Sequence, residues 1–112
     1  MNKDWNSIQT DADIEQIIEN SNKQTQLIFK DSVTCGISAY AKEKLQLGTD
    51  LIKSKGDLHY LDLLNRRSVS KFIAERLDVI HQSPQVIVLK DEKVIYTVSH
   101  HSIEPEKIAE FL

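Results

Sequence analysis

The stretch Gln85-Val86-Ile87-Val88-Leu89 constrains the fold of this chain more than any other. Four apolar residues in succession, in a run of strand length, leave no polar face to turn towards water, which suits a central strand covered on both sides. Asp91-Glu92 then makes a tight turn into Val94-Ile95-Tyr96-Thr97-Val98, so the two runs read as a β-hairpin. The rest of the chain has to supply the cover.

It does so in alternation. Thr10 is a candidate N-cap, Asp11 and Asp13 put acid in the first turn behind it, and Ile14, Ile17 and Ile18 recur at helical spacing. The polar cluster Asn20–Lys23 ends that helix. Gln26-Leu27-Ile28-Phe29-Lys30 follows as a strand, Asp31–Thr34 breaks it, and a second helix begins at about Cys35 with Ile37, Ala41 and Leu45 on one side. Gly48 and Gly56 punctuate an ambiguous stretch in which Leu51 and Ile52 also suit a helix. His59–Leu63 reads as a strand, and a helix from Ser68 or Ser70 to Leu77 carries the apolar stripe Phe72, Ile73 and Leu77. Glu104-Pro105-Glu106 opens a last helix, with Ile108, Phe111 and Leu112 as its buried side. Trp5 lies in an irregular amino-terminal stretch. The order is α-β-α-β-α-β-β-α: an α/β fold with a four-stranded mixed sheet, its early strands parallel, its late hairpin antiparallel, and helices on both faces.

With 112 residues the chain is read as one domain, 1–112, large enough for a single core. A net charge of −3 argues against a broad nucleic-acid footprint, no apolar run approaches the ~20 residues of a membrane helix, and the amino end lacks the apolar core of a secretory signal. A reducing cytoplasmic location fits these features, and so does one unpaired cysteine.

That cysteine, Cys35, is either inert filling or a reactive thiol. Free cysteines are often buried and behave as small hydrophobes. Yet Cys35 follows a strand at the expected start of a helix, where unpaired backbone N–H groups and the helix dipole favour an anion such as a thiolate. Ser38, one helical turn on, is placed to donate a hydrogen bond to the sulfur, and Gly36 adds no side chain to obstruct approach. Pro84 enters the most apolar strand at its amino edge, where a missing N–H is tolerated, and Ser83 before it is biased towards extended backbone.

Taken together, TCGIS (34–38), FIAE (72–75), HQSPQ (81–85) and Ser99-His100 resemble the bacillithiol-system monothiol redox proteins of the YtxJ type, grouped with the bacilliredoxins in the thioredoxin superfamily. The resemblance covers nearly the whole chain after about residue 10. It implies a thioredoxin-like fold with Pro84 cis and packed near Cys35, and a substrate-binding rim of Thr34, Gly36, Ile37, Ser83 and Pro84. It also implies Cys-x-x-Ser monothiol chemistry with Cys35 as the nucleophile and Ser38 in support. The expected partners are a low-molecular-weight thiol, with bacillithiol as co-substrate, and thiol-modified client proteins, with no tightly bound cofactor, no metal, no nucleic acid and no membrane. Gly36 departs from the proline common in that family.

Several alternatives stand beside this. A thiol sensor or a non-catalytic regulatory adaptor would use the same fold without turnover. His81 or His100, if charged near the sulfur, would lower its pKa, or both are polar loop residues. His100-His101 without a third ligand is a weak metal signal. Arg66-Arg67 matches carboxylate geometry, or is a solvated approach to a helix.

Overall fold

The structure, a computed structural model, describes residues 1–34 and 36–112. Along the chain it forms β1 (Asn6–Ser7), α1 (Asp11–Asn20), β2 (Gln26–Asp31), α2 (Gly36–Leu47), α3 (Thr49–Lys53), β3 (Asp57–Asp62), α4 (Arg67–Leu77), β4 (Gln85–Lys90), β5 (Lys93–Ser99), a 3₁₀ turn at His100–Ser102, and α5 (Pro105–Ala109). The sheet order is β1-β3-β2-β4-β5. Strand β3 runs parallel to both β1 and β2, while β4 is antiparallel to β2 and to β5.

The sheet has five strands rather than the expected four. The extra one, β1, pairs Asn6 with His59 and Ser7 with Tyr60, and Ile8 N–H extends it by donating to the Tyr60 carbonyl at 2.9 Å. Two exposed polar residues carry no periodicity, so nothing in their pattern announces a strand. Their neighbours hold them. Ile8 is buried, and Trp5 packs into the core while its Nε1–H donates to Thr49 Oγ1 at 3.1 Å.

Local chemistry explains the element boundaries. Thr10 Oγ1 accepts from Asp13 N–H, and the Asp13 carboxylate accepts in return from the Thr10 and Gln9 N–H groups, a capping box that starts α1. The helix after β2 stops at Leu47 and restarts as α3. At the break, a Cβ on Gly48 would lie 2.5 Å from Pro105 Cβ, so α5 can approach only a glycine there. Helix α4 begins at Arg67, one residue before the earlier of the two expected serines, and ends on Asp78 in left-handed backbone. The β4–β5 turn places Asp91 and Glu92 at φ of 52° and 64°, suiting a right-twisted hairpin. Ser21, at the end of α1, secures that turn: its carbonyl accepts from Asp91 N–H and its Oγ from Glu92 N–H. Helix α5 ends at Ala109, so Phe111 and Leu112 pack from the tail beyond it, and Phe111 stacks on Tyr96 with ring centres 4.1 Å apart.

Strand alternation sorts the interior into two clusters. Leu27, Phe29, Leu58, Val86 and Val88 face α2, α3 and α5, packing with Ala41, Leu45, Ile52 and Ile108. Ile28, Leu61, Ile87 and Leu89 face α1 and α4, packing with Ile14, Ile17, Val69 and Ile73. Strand β4 therefore contributes to both clusters, as its unbroken apolar run requires. No described helix is long and apolar enough to cross a membrane.

Candidate functional site

The parallel strands β2 and β3 end at one edge of the sheet, where β4 begins. Register pairs Lys30 with Gln85 and Asp31 with Asp62, so the segment after Asp31 adjoins Ser83-Pro84. Because β3 and β4 flank β2 on opposite sides, this edge is a topological switch point, the place where open α/β sheets form their binding crevice.

The expected site residues that the structure describes fall along this edge. Thr34 and Gly36 are exposed, Ile37 is half-buried and Ser38 is fully buried. Cys35 lies outside the described residues. A Cβ on Gly36 would meet nothing within 4 Å among its surroundings, so the opening of α2 faces free space. Ser38 Oγ accepts a hydrogen bond from Ser32 N–H at 3.3 Å, which ties the β2–α2 connection to the first turn of the helix. Pro84 is buried behind a cis Ser83–Pro84 peptide bond, and its carbonyl accepts from His100 N–H at 3.0 Å. Ser83 Oγ is buried and has no partner among the described residues.

Beneath this edge lie two charged groups that sequence reasoning passed over as strand ending and breaker. Asp31 is buried on the α2 face. Tyr60 O–H donates to its Oδ2 at 2.5 Å, Lys42 Nζ stands 3.8 Å away, and Oδ1 has no partner among the described residues. Burial pushes the Asp31 carboxyl above its ordinary range, against the opposing pull of Tyr60 and Lys42. Burial likewise pushes the Tyr60 phenol up, and its hydrogen bond to Asp31 adds to the rise. Lys30, next in the strand, points to the opposite face and is also fully buried. Its ammonium contacts His81 Nδ1 at 2.7 Å, and burial lowers its pKa to about 8. The sequence offered one signal for these residues, charged side chains closing an apolar strand, but a strand end next to solvent carries the same pattern.

His81 therefore does not supply positive charge. Burial first, and the Lys30 charge second, hold its pKa below the ordinary imidazole value, so the cation here is Lys30. Arg67 lies near His81 along one groove, whereas Arg66 forms the N-cap position of α4. Tyr40 is exposed under Lys44, whose Nζ sits 4.8 Å from the ring centre, so it caps a cation rather than the core. Among the described residues no three His, Cys, Asp or Glu side chains gather as a metal centre requires.

Lys30 is a testable liability. Its folded pKa of about 8 lies below the value near 10.4 of a free lysine, so between those pH values the unfolded chain binds more protons than the folded one. Stability attributable to Lys30 is thus lowest below pH 8 and recovers as pH rises towards 10. Lys30→Met is expected to raise unfolding free energy at pH 7 by about 2 kcal/mol. The advantage should shrink steadily from pH 8 to pH 10 in urea titrations of both proteins. A constant difference across that range would mean that the ammonium is not desolvated.

The comparisons agree with this architecture. A solved structure of a protein with a thioredoxin fold superposes with a TM-score of 0.82 at 25% identity, covering 96% of this chain and 92% of that one. A Fasciola hepatica thioredoxin superposes at 0.70 and 18% identity over 95% and 94% of the two chains, a likeness of fold. A mitochondrial iron-sulfur clusters transporter, atm1, from Aspergillus fumigatus is 30% identical over 81 residues, which are 72% of this chain and 10% of that protein. The chain thus spans about a tenth of that curated relative, and nothing of a transporter follows from the match. The family described as monothiol bacilliredoxin BrxC matches residues 6–108. Since that span takes in every strand and every helix but for Ala109, the last residue of α5, with the lone cysteine and Ser38 inside it, the chain is a thiol redox protein of thioredoxin fold and belongs to the monothiol bacilliredoxin BrxC family.

Proposed function

We propose that the protein is a monothiol exchange catalyst, which uses Cys35 to remove a low-molecular-weight thiol, bacillithiol, from mixed disulfides on client proteins in a reducing cytoplasm. The observation that carries this reading is positional. In sequence, the only cysteine in the chain immediately precedes α2, and the connection from β2 to that helix leaves the sheet beside the start of β4, where Ser83-Pro84 lies.

The chemistry follows from having one sulfur. The Cys35 thiolate attacks the small-thiol sulfur of the client disulfide; the new disulfide forms as the old one breaks, and the client leaves as a thiolate that takes up a proton. A second small-thiol molecule, itself as thiolate, attacks the adduct, releases the symmetrical small disulfide and restores Cys35. No second cysteine in the chain can intercept the adduct. Ser38 fixes the connection that carries Cys35, through the Ser32 N–H bond. Thr34, Gly36 and Ile37 form one rim for the incoming disulfide, and Ser83 and Pro84 the other. Val33 and Ile80, exposed apolar side chains on loops at this end, give a client surface something to bury.

Turnover tests the proposal. A client protein carrying one bacillithiol mixed disulfide is mixed with catalytic protein and excess reduced bacillithiol, with a glutathione-modified client in parallel, and both are followed by intact mass. Many equivalents of client released per protein, faster with bacillithiol, is the expected result. Equal rates would remove bacillithiol as the specific partner. A single stoichiometric reaction without recycling would identify a thiol sensor instead.

A further inference from the structure

On the α1/α4 side of the sheet, next to the same edge, a groove of about 280 Å³ is lined by Leu63, Arg67, Ser70, Lys71, Ala74 and His81. Its lining contains no carboxylate, while Arg67 and Lys71 are cationic. Among the described residues Lys71 is held only by an exposed contact to Glu75 at 4.0 Å.

Behind the groove lies a second, independent feature. Lys30 is wholly buried, and among the described residues no carboxylate comes within ion-pair distance of it; its one described partner is His81. A buried cation ordinarily keeps an anion beside it, because desolvation of an unpaired charge is costly. The Lys30 ammonium can only donate, so His81 Nδ1 accepts and the ring proton sits on Nε2. The imidazole thereby becomes a donor, polarised by the charge behind it. Arg67 adds a planar fork suited to carboxylate, Lys71 a point charge, and Leu63 and Ala74 an apolar floor.

We propose that this groove binds the carboxylate-bearing end of the low-molecular-weight thiol whose sulfur exchanges at Cys35. The inference rests on the exchange reading above and adds the residues that select the thiol. Position supports it: Lys30 lies five residues before Cys35, and His81 three before Pro84, so groove and thiol segment border one edge. Size supports it as well, since a space of 280 Å³ suits the end of a small molecule and not a folded partner.

Two measurements test it. In the first, reduced protein reacts with glutathione disulfide and with its tetraethyl ester, in which every carboxylate is esterified, each rate being normalised to that of a free cysteine peptide. The acid-to-ester preference is expected to be roughly fivefold above the peptide's. It should collapse towards the peptide's value in Arg67→Gln/Lys71→Gln and persist in Lys55→Gln, a surface lysine at the other end of the sheet. A preference that survives the double substitution, or falls equally in Lys55→Gln, overturns the groove. In the second, succinate and uncharged succinamide are titrated into reduced protein and followed by NMR. Shifts at Arg67, Ser70 and His81 with succinate alone are expected, and their absence overturns the proposal. If Cys35 exchanges neither with these disulfides nor with bacillithiol disulfide, the exchange reading fails by itself, and the succinate titration still decides whether the groove takes a carboxylate.

Discussion

A Cys35→Ser variant is expected to form no mixed disulfide with any small disulfide, whereas Ser38→Ala should retain exchange with a rate roughly fivefold lower. The difference follows from what each side chain does. Serine in place of Cys35 cannot form a disulfide, and no other cysteine can substitute. Ser38 is wholly buried and its Oγ receives the Ser32 N–H, so alanine there leaves a backbone donor unpartnered and loosens the connection between β2 and α2. That cost falls on the alignment of the sulfur, not on its existence. Adduct formation followed by intact mass at several disulfide concentrations separates the two effects. Equal loss in both variants would contradict the division, because it would give Ser38 an indispensable part in the bond exchange.

The second large effect is on stability. Phe29→Ala is expected to lower unfolding free energy by about 3–5 kcal/mol, measured by urea denaturation at neutral pH. Phe29 is fully buried in the strand that leads to Cys35, with Trp5 edge-on at 6.3 Å and Tyr60 tilted at 5.9 Å between ring centres. Removing its ring leaves a void that two aromatic neighbours, each tied by a hydrogen bond of its own, cannot refill: Trp5 to Thr49 and Tyr60 to Asp31. Leu47→Ala, at a position 82% exposed, serves as the reference and should change stability by about 0.5 kcal/mol or less. A loss at Phe29 no larger than at Leu47 would mean that this face of the sheet is not packed as described.

Much of the fold is legible because its signals are periodic and local. The isoleucine spacing of α1, the capping pattern at Thr10, the unbroken run of β4 and the proline at the start of α5 each recur in the structure where the sequence places them. What escapes is what depends on distant partners. Strand β1 exists because β3 has a free edge and Trp5 has a pocket, and neither is visible in Asn6-Ser7. The break at Gly48 is set by Pro105, far along the chain. The candidate site, with Thr34, Gly36, Ile37 and Ser38 on one side and Ser83-Pro84 on the other, is what the family resemblance implies. Its buried charges are not implied: whether Lys30 and Asp31 end a strand in water or beneath a crevice is decided by Tyr60, Lys42 and His81 arriving from elsewhere.

The position of Trp5 has a practical consequence. It is the only tryptophan in the chain and it is 6% exposed, wedged against Phe29 on the strand that runs towards Cys35. Excitation of the indole therefore interrogates one defined spot in the larger of the two apolar clusters. A chain that keeps this contact emits from a dry site, and one that loses it emits from water, so the folded fraction can be followed by the protein's own light in every denaturation series, with no label near the thiol.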